Sequence, residues 1–290
     1  MSLDSMADIL HCMEQEGKEF WEVVLAADME ERQVSRESSL AKMLTTWQAM
    51  VDASDSYTGD RRSVSGLVGG DGLKMRQYAI RGKAMSGGYV SEVIAEALSM
   101  AESNACMRRI VAAPTAGACG VLPAVLLPYQ QREGLSDEAM VRAMYVAGAI
   151  GQVVAAKASI AGAAGGCQAE IGTASAMGAA ALCYLGGGDA QAVCHAAAIA
   201  IKSMLGLVCD PIAGLVEVPC VKRNAAGAMI AMSSADMALA GIRSAVPPDE
   251  VILAMREVGD KMDVSLKETG VGGVAGTPFG QKIAEKMEMG

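Results

Sequence analysis

The sequence predicts a mainly α-helical protein with few or no strands. Apolar residues recur at helical spacing, as in Met6, Ile9, Leu10 and Met13, and again in Leu40, Met43, Leu44, Trp47 and Val51. Alternating β patterns and Asn-Gly hairpin signals are nearly absent. Several helix starts are also written plainly, with acidic residues or proline where a first turn favours them.

In chain order, residues 5–52 read as two helices separated by a charged turn. Glu14, Glu16, Glu19, Glu22, Asp28, Glu30 and Glu31 give this region a solvated face. Glycine-rich loops follow at Gly66–Gly72 and at Ser86-Gly87-Gly88. Val93, Ile94, Ala97, Leu98 and Ala101 then mark a helix within Tyr89–Ala105. The small-residue turn from Ala113 to Gly120 leads into an apolar helix. Asp137-Glu138 opens the next helix, Asp189 opens one running through His195 to Met204, and Pro247-Pro248-Asp249-Glu250 opens another. A helical segment over 1–60 precedes a catalytic domain over 61–290, or the two form one continuous domain.

Composition narrows the class. The 290 residues are 52% hydrophobic, 20% charged and 3% aromatic, with 21 Met and 33 Gly. Small residues let helices approach closely, and Met fills irregular gaps between them. A net charge of −9 provides no basic face for nucleic acid. The mean hydropathy of +0.29 raises the question of a membrane. Arg142 and Lys157 bracket the uncharged stretch 143–156, however, and the run 171–188 is mostly Gly, Ala, Ser and Thr. Both read as buried core helices rather than membrane spans. Met-Ser-Leu-Asp-Ser lacks the features of a signal peptide, so the expected compartment is the cytoplasm. There the eight cysteines are expected as thiols, ligands or core filler.

Chemistry-bearing residues are few. The Gly66–Gly72 loop could cradle an anion, but it is neither a P-loop nor a dinucleotide fingerprint; a plain flexible loop is the other reading. Lys74, Lys157 and Lys202 lack the surroundings expected of a pyridoxal phosphate site. His195 reads as a hydrogen-bonded core or interface residue. Cys12, Cys183 and Cys194 stand on apolar helical faces, and Cys106 and Cys119 flank the Thr115 turn. Cys167, Cys209 and Cys220 differ: each sits at an element break near glycine or proline, among Gln168, Glu170, Asp210, Arg223 and Asn224. Three soft ligands would leave one metal position free for substrate. On spacing alone, a metal site and core filling both stand.

Three stretches carry a resemblance. They are Lys157–Ala163, Gly166-Cys-Gln-Ala-Glu-Ile-Gly172, and the run from Leu207 through Cys-Asp-Pro and Val-Pro-Cys-Val-Lys-Arg to Asn224. With Ala113–Gly117 and Pro123-Ala124, they closely resemble the α chain or α domain of the iron–sulfur L-serine dehydratases, over about residues 60 to 280. The resemblance implies a [4Fe–4S] cluster on Cys167, Cys209 and Cys220, and deamination of L-serine to pyruvate and ammonia. An iron with an open position would polarise the serine C–O bond while a base removes the Cα proton. Lys74, Thr115, Lys157, Ser159 and Asn224 are the candidate polar members of the site, with the base unassigned. The Gly66–Gly72 and Pro114–Gly117 loops are candidates for the substrate carboxylate. A separate β subunit and an oligomer are implied. Some relatives supply a C-terminal cysteine as fourth ligand, whereas this tail reads Glu-Lys-Met-Glu-Met-Gly. The alternatives are a related cluster-dependent L-cysteine desulfidase and a non-catalytic helical scaffold subunit.

Overall fold

The computed structural model describes residues 3–289, and within them the chain forms thirteen helices and no strand. The first region holds three helices rather than two: α1 (Met6–Glu16), α2 (Phe20–Arg32) and α3 (Arg36–Asp55). Gly17 ends α1 in the left-handed region at φ 63°, its N–H closing on the Met13 carbonyl. A reciprocal capping box between Glu19 and Glu22 then starts α2. The acidic run that reads as a charged turn is therefore the outer face of α2. Its inner face buries Phe20, Trp21, Val23, Val24 and Leu25.

Ten helices follow, three of them at the starts expected from Asp137, Asp189 and Pro248. They are α4 (Asp71–Ile80), α5 (Gly87–Ala105), α6 (Val121–Glu133), α7 (Asp137–Lys157) and the single turn α8 (Gly162–Gly165). Then come α9 (Thr173–Leu185), α10 (Ala190–Met204), α11 (Cys220–Leu239), α12 (Pro248–Lys261) and α13 (Pro278–Glu288). Ser136 and Asp189 cap α7 and α10 through their side-chain oxygens, satisfying N–H groups with no partner inside the helix.

Helix α9 is the axis of the molecule. Residues 173–183 are all buried, and α6, α7, α10 and α11 pack around them. Its alanines and glycines permit that density. A Cβ on Gly178 would stand 3.2 Å from both Ala231 Cβ and Val125 Cγ2. A Cβ on Gly227 would stand 3.0 Å from Ser175 Oγ, so α11 crosses α9 closely at this point. Dispersion between closely spaced atoms here replaces the large side chains of an aromatic-rich core.

One contiguous core contains Ile9, Leu25 and Trp47 from the first three helices together with Ile150, Ala180, Ile201 and Ile252. Helix α7 is long and apolar enough to cross a bilayer, yet 67% of its most apolar window is buried within the fold. A second, smaller cluster of Ala118, Val121, Cys167, Ile171, Ala174, Met204 and Cys209 lies at the N-terminal end of α9.

Candidate metal centre

Three separate loops meet above that smaller cluster. The first runs from α8 through Gly166 and Cys167 into one π-helical turn, Gln168–Gly172, which leads straight into α9. The wide turn places Cys167 and Glu170 three residues apart on one side. The second is the segment from Leu207 to Pro219 between α10 and α11, carrying Cys209 and ending on Cys220, the first residue of α11. The third follows α12. The Cys209 N–H donates to Leu266 O (2.8 Å) and Glu268 N–H donates to Cys209 O (2.6 Å). Gln168 links the first two loops: its N–H donates to Leu207 O (2.9 Å) and its side-chain oxygen accepts from Gly206 N–H (2.9 Å).

One ligand atom each from Cys167, Glu170 and Cys209 lies within 4.8 Å of the others. Both thiols are 2% exposed, and Cys220 is 7% exposed. The neighbouring Cys209 thiol holds Cys167 below the usual thiol range despite its burial; the Arg223 guanidinium beside it acts in the same direction. The same contact, with burial, raises Cys209. Burial pushes Cys220 up to about 12, and the charge of Cys167 adds to this. Glu170 is raised above the ordinary carboxylate range by burial, opposed by the Thr115 hydroxyl and reinforced by Glu268. Thr115 Oγ1 is buried and makes no well-formed hydrogen bond, although it stands beside that carboxyl group.

Glycine and buried charge frame these donors. A Cβ on Gly162 would meet Cys209 Sγ at 2.8 Å and Glu170 Oε2 at 2.9 Å, so only glycine lets α8 approach. Arg223 pairs with Asp210 (2.8 Å) and donates to Val208 O (2.8 Å). Asp210 in turn accepts from Val274 N–H at 2.7 Å, tying the third loop down. Two non-glycine residues with left-handed backbone, Ala213 (φ 53°) and Glu268 (φ 61°), lie in these loops. Such conformations cost free energy and persist where the surroundings fix them. Soft, buried thiols on glycine-held loops suit iron–sulfur ligation by donor chemistry, and the unpaired Thr115 hydroxyl offers an outer hydrogen bond.

The other sequence candidates divide. Asn224 is fully buried, with its side-chain oxygen accepting from Gly120 N–H (2.9 Å) and its amide donating to Gly117 O (2.8 Å) and Cys220 O (3.0 Å). It clamps the Thr115 turn onto α11. Lys157 and Ser159 line a groove of about 340 Å³ with Gln168, Met255 and Asp260, bordering the turn that carries Cys167. Ser159 Oγ accepts from Ala161 N–H at 3.1 Å. Lys74 stands apart, its side chain 72% exposed, in an ion cluster with Asp71 and Lys222.

The Gly66–Gly72 loop does hold an anion, but it is this chain's own. Glu102 accepts from Asp71 N–H (2.8 Å) and Gly72 N–H (3.2 Å), and it also bonds the Tyr57 hydroxyl. The hydroxyls of Ser63 and Ser65 donate to buried Glu217, fastening this loop to the segment between Cys209 and Cys220. Of the remaining thiols, burial pushes Cys119 and Cys194 up to about 12 and Cys183 up to about 11. His195 Nδ1 accepts from Ser244 N–H (3.2 Å), a packing role. Glu170 and Arg223 adjoin the cysteines in the sequence, yet neither is among the site residues that the sequence predicts. The Cys-x-x-Glu spacing was the available signal for Glu170. Arg223 had none, because only the fold turns it towards Cys167.

Fold and site together define an all-helical protein with a buried thiol–carboxylate centre fit to ligate a metal. A sequence model of the family described as "Serine dehydratase alpha chain" matches residues 15–275. The chain is 47% identical over 266 residues to the probable L-serine dehydratase, alpha chain, of Bacillus subtilis (strain 168), covering 92% of this chain and 89% of that one. It is 41% identical over 282 residues to the L-serine dehydratase, alpha chain, of Peptoniphilus asaccharolyticus, covering 97% of each. L-serine dehydratase 1 of Escherichia coli (strain K12) is 46% identical over 183 residues, which are 62% of this chain but 40% of that protein. The chain belongs to the serine dehydratase alpha chain family.

Proposed function

We propose that this chain is the α subunit of a [4Fe–4S]-dependent enzyme that converts L-serine to pyruvate and ammonia. The observation that carries the reading is the convergence of Cys167 and Glu170 on one loop with Cys209 on another, within a chain of this family. Cys167, Cys209 and Cys220 would hold the cluster, which supplies a Lewis-acidic iron for the serine hydroxyl. Arg223 offsets negative charge at Cys167 and is itself held by Asp210. Asn224 fixes the Thr115 turn beside Glu170. With the N–H groups of Asp71 and Gly72 already taken by Glu102, the Pro114–Gly117 turn is the better candidate for the substrate carboxylate. Lys157 and Ser159 border the site through their shared groove. Lys74, exposed and paired with Asp71, has the weakest claim.

A separate β subunit would complete the enzyme, since relatives of this length are named alpha chains. The eight free thiols accord with the reducing conditions of a cytoplasm. The test is anaerobic reconstitution with iron and sulfide, with β chain added, followed by pyruvate release from L-serine and from L-cysteine. Brown, iron-loaded protein that favours serine, with Cys220→Ser losing both colour and activity, is the expected result. Preference for cysteine would make it a desulfidase. A colourless, inactive complex would leave only a scaffold.

A further inference from the structure

The donor cluster is more compact than three thiols spread over a multi-iron centre require. Thiolates that serve separate irons must stand further apart than thiolates that share one ion. The Cys167 and Cys209 sulfurs and a Glu170 carboxylate oxygen all lie within 4.8 Å of one another. Metal–sulfur bonds of about 2.3 Å and metal–oxygen bonds of about 2.0–2.2 Å in a tetrahedron imply S···S near about 3.8 Å and S···O near about 3.5 Å. Small side-chain movements reach that geometry. Cys220 lies outside this close group.

We propose that the cluster-free chain carries a single-ion site in which Cys167, Cys209 and Glu170 bind one divalent cation of borderline softness, Fe²⁺, Zn²⁺ or Co²⁺, without Cys220. Two thiolates and one carboxylate are a donor set such ions accept, and three protein ligands leave the fourth position to water. Charge supports it: the ion brings two positive charges to three anionic donors, and Arg223 beside Cys167 adds a third that it shares with Asp210. The outer surroundings suit a bound carboxylate as well. With one Glu170 oxygen on the metal, the other would accept the hydrogen bond that Thr115 Oγ1 otherwise lacks. Gly162, with no Cβ, packs directly against Cys209 and Glu170 without displacing either donor, and Glu170 is only half-buried. Ion and cluster would then compete, because the single ion draws together two sulfurs that the cluster holds apart. This competition rests on the proposed function; single-ion binding does not.

Anaerobic titration of the reduced, cluster-free chain with Co²⁺ tests the site. One ion per chain is expected, with thiolate-to-cobalt charge-transfer absorbance and the intense visible bands of a tetrahedral ion, displaced by Zn²⁺. Cys209→Ser should abolish binding, and Glu170→Gln should weaken it by more than roughly tenfold and alter the visible bands. Cys220→Ser should bind as the parent does. Helical circular dichroism of each variant separates loss of binding from loss of fold. Absence of stoichiometric binding by the parent chain would overturn the proposal. So would a Cys220→Ser defect as deep as that of Cys209→Ser, or unchanged affinity and spectrum in Glu170→Gln. A chain that binds cobalt as described but never assembles a cluster would retain this site and refute the proposed function instead.

Discussion

The packing around α9 and the loops at its N-terminal end obey opposite rules. Around α9, eleven consecutive residues are buried, and the close contacts include glycine against alanine, valine, serine and isoleucine. Backbone hydrogen bonds are satisfied within helices, and few buried polar groups need outside partners. At the loops, within a few residues of Cys209 and Cys220, the chain buries Asp210, Glu217 and Asn224, and half-buries Arg223. Each of these needs a named partner: Asp210, Glu217 and Asn224 each have one from a distant segment, and Arg223 pairs with Asp210. The difference is one of redundancy. A core of many small contacts loses a little at each site, whereas a polar frame fails wherever one partner is removed.

Three measurements would break or sharpen that contrast. The largest effect is expected from Trp47→Ala, the exception within the core. Its ring is fully buried and its Nε1–H donates to Asp137 Oδ1 at 3.0 Å. The loss should be about 3–5 kcal/mol in denaturant unfolding. Cobalt binding at the distant thiols should persist while the chain stays folded; a coupled loss would mean that core and site are not separate.

Asn224→Ala comes next. It leaves Gly120 N–H and the carbonyls of Gly117 and Cys220 without their side-chain partner, at a cost of about 2–4 kcal/mol. Unlike the tryptophan variant, it should also disorder the Thr115 turn and weaken metal binding. A stable variant with an intact site would show that the clamp is dispensable.

The smallest effect per pH unit concerns alkaline conditions. Burial in the core, with Asp249 adding to it, pushes Cys194 up to about 12, whereas an unfolded thiol ionises near about 8.5. Between these values the unfolded chain has released a proton that the folded chain retains. Stability from this thiol is therefore fully present below the unfolded value and lost as pH rises towards 12. The slope should approach about 1.4 kcal/mol per pH unit for this one group. Cys194→Ala should flatten the decline of unfolding free energy above pH 9 by that amount, whatever its effect at neutral pH. An unchanged slope would mean that the thiol is not protected as packed.

Much of the fold could be read from the sequence because its signals are local. Ser136 and Asp189 cap the helices they precede, and Pro248 stands in the first turn of α12. The failure is equally local: the acidic surface of α2 masked its apolar face, so two helices were expected where three form. The site was legible in kind but not in membership. Cysteine beside glycine or proline marked Cys167, Cys209 and Cys220. Glu170 entered because a π-helical turn aligns it with Cys167. Lys74 fell away because α4 leaves it in solvent beside Asp71.

By itself, then, the sequence determined a helical protein packed through small residues, and three cysteines set at breaks between elements. Capping, periodicity and breaker residues act over a few positions, so they can be read along the chain. Only the tertiary structure decided that Cys167 and Cys209 come together, that Glu170 joins them, and that Glu102 occupies the glycine-rich loop. These are contacts between residues far apart in the chain, or set by one unusual turn. Their energies depend on burial and direction, which no spacing encodes.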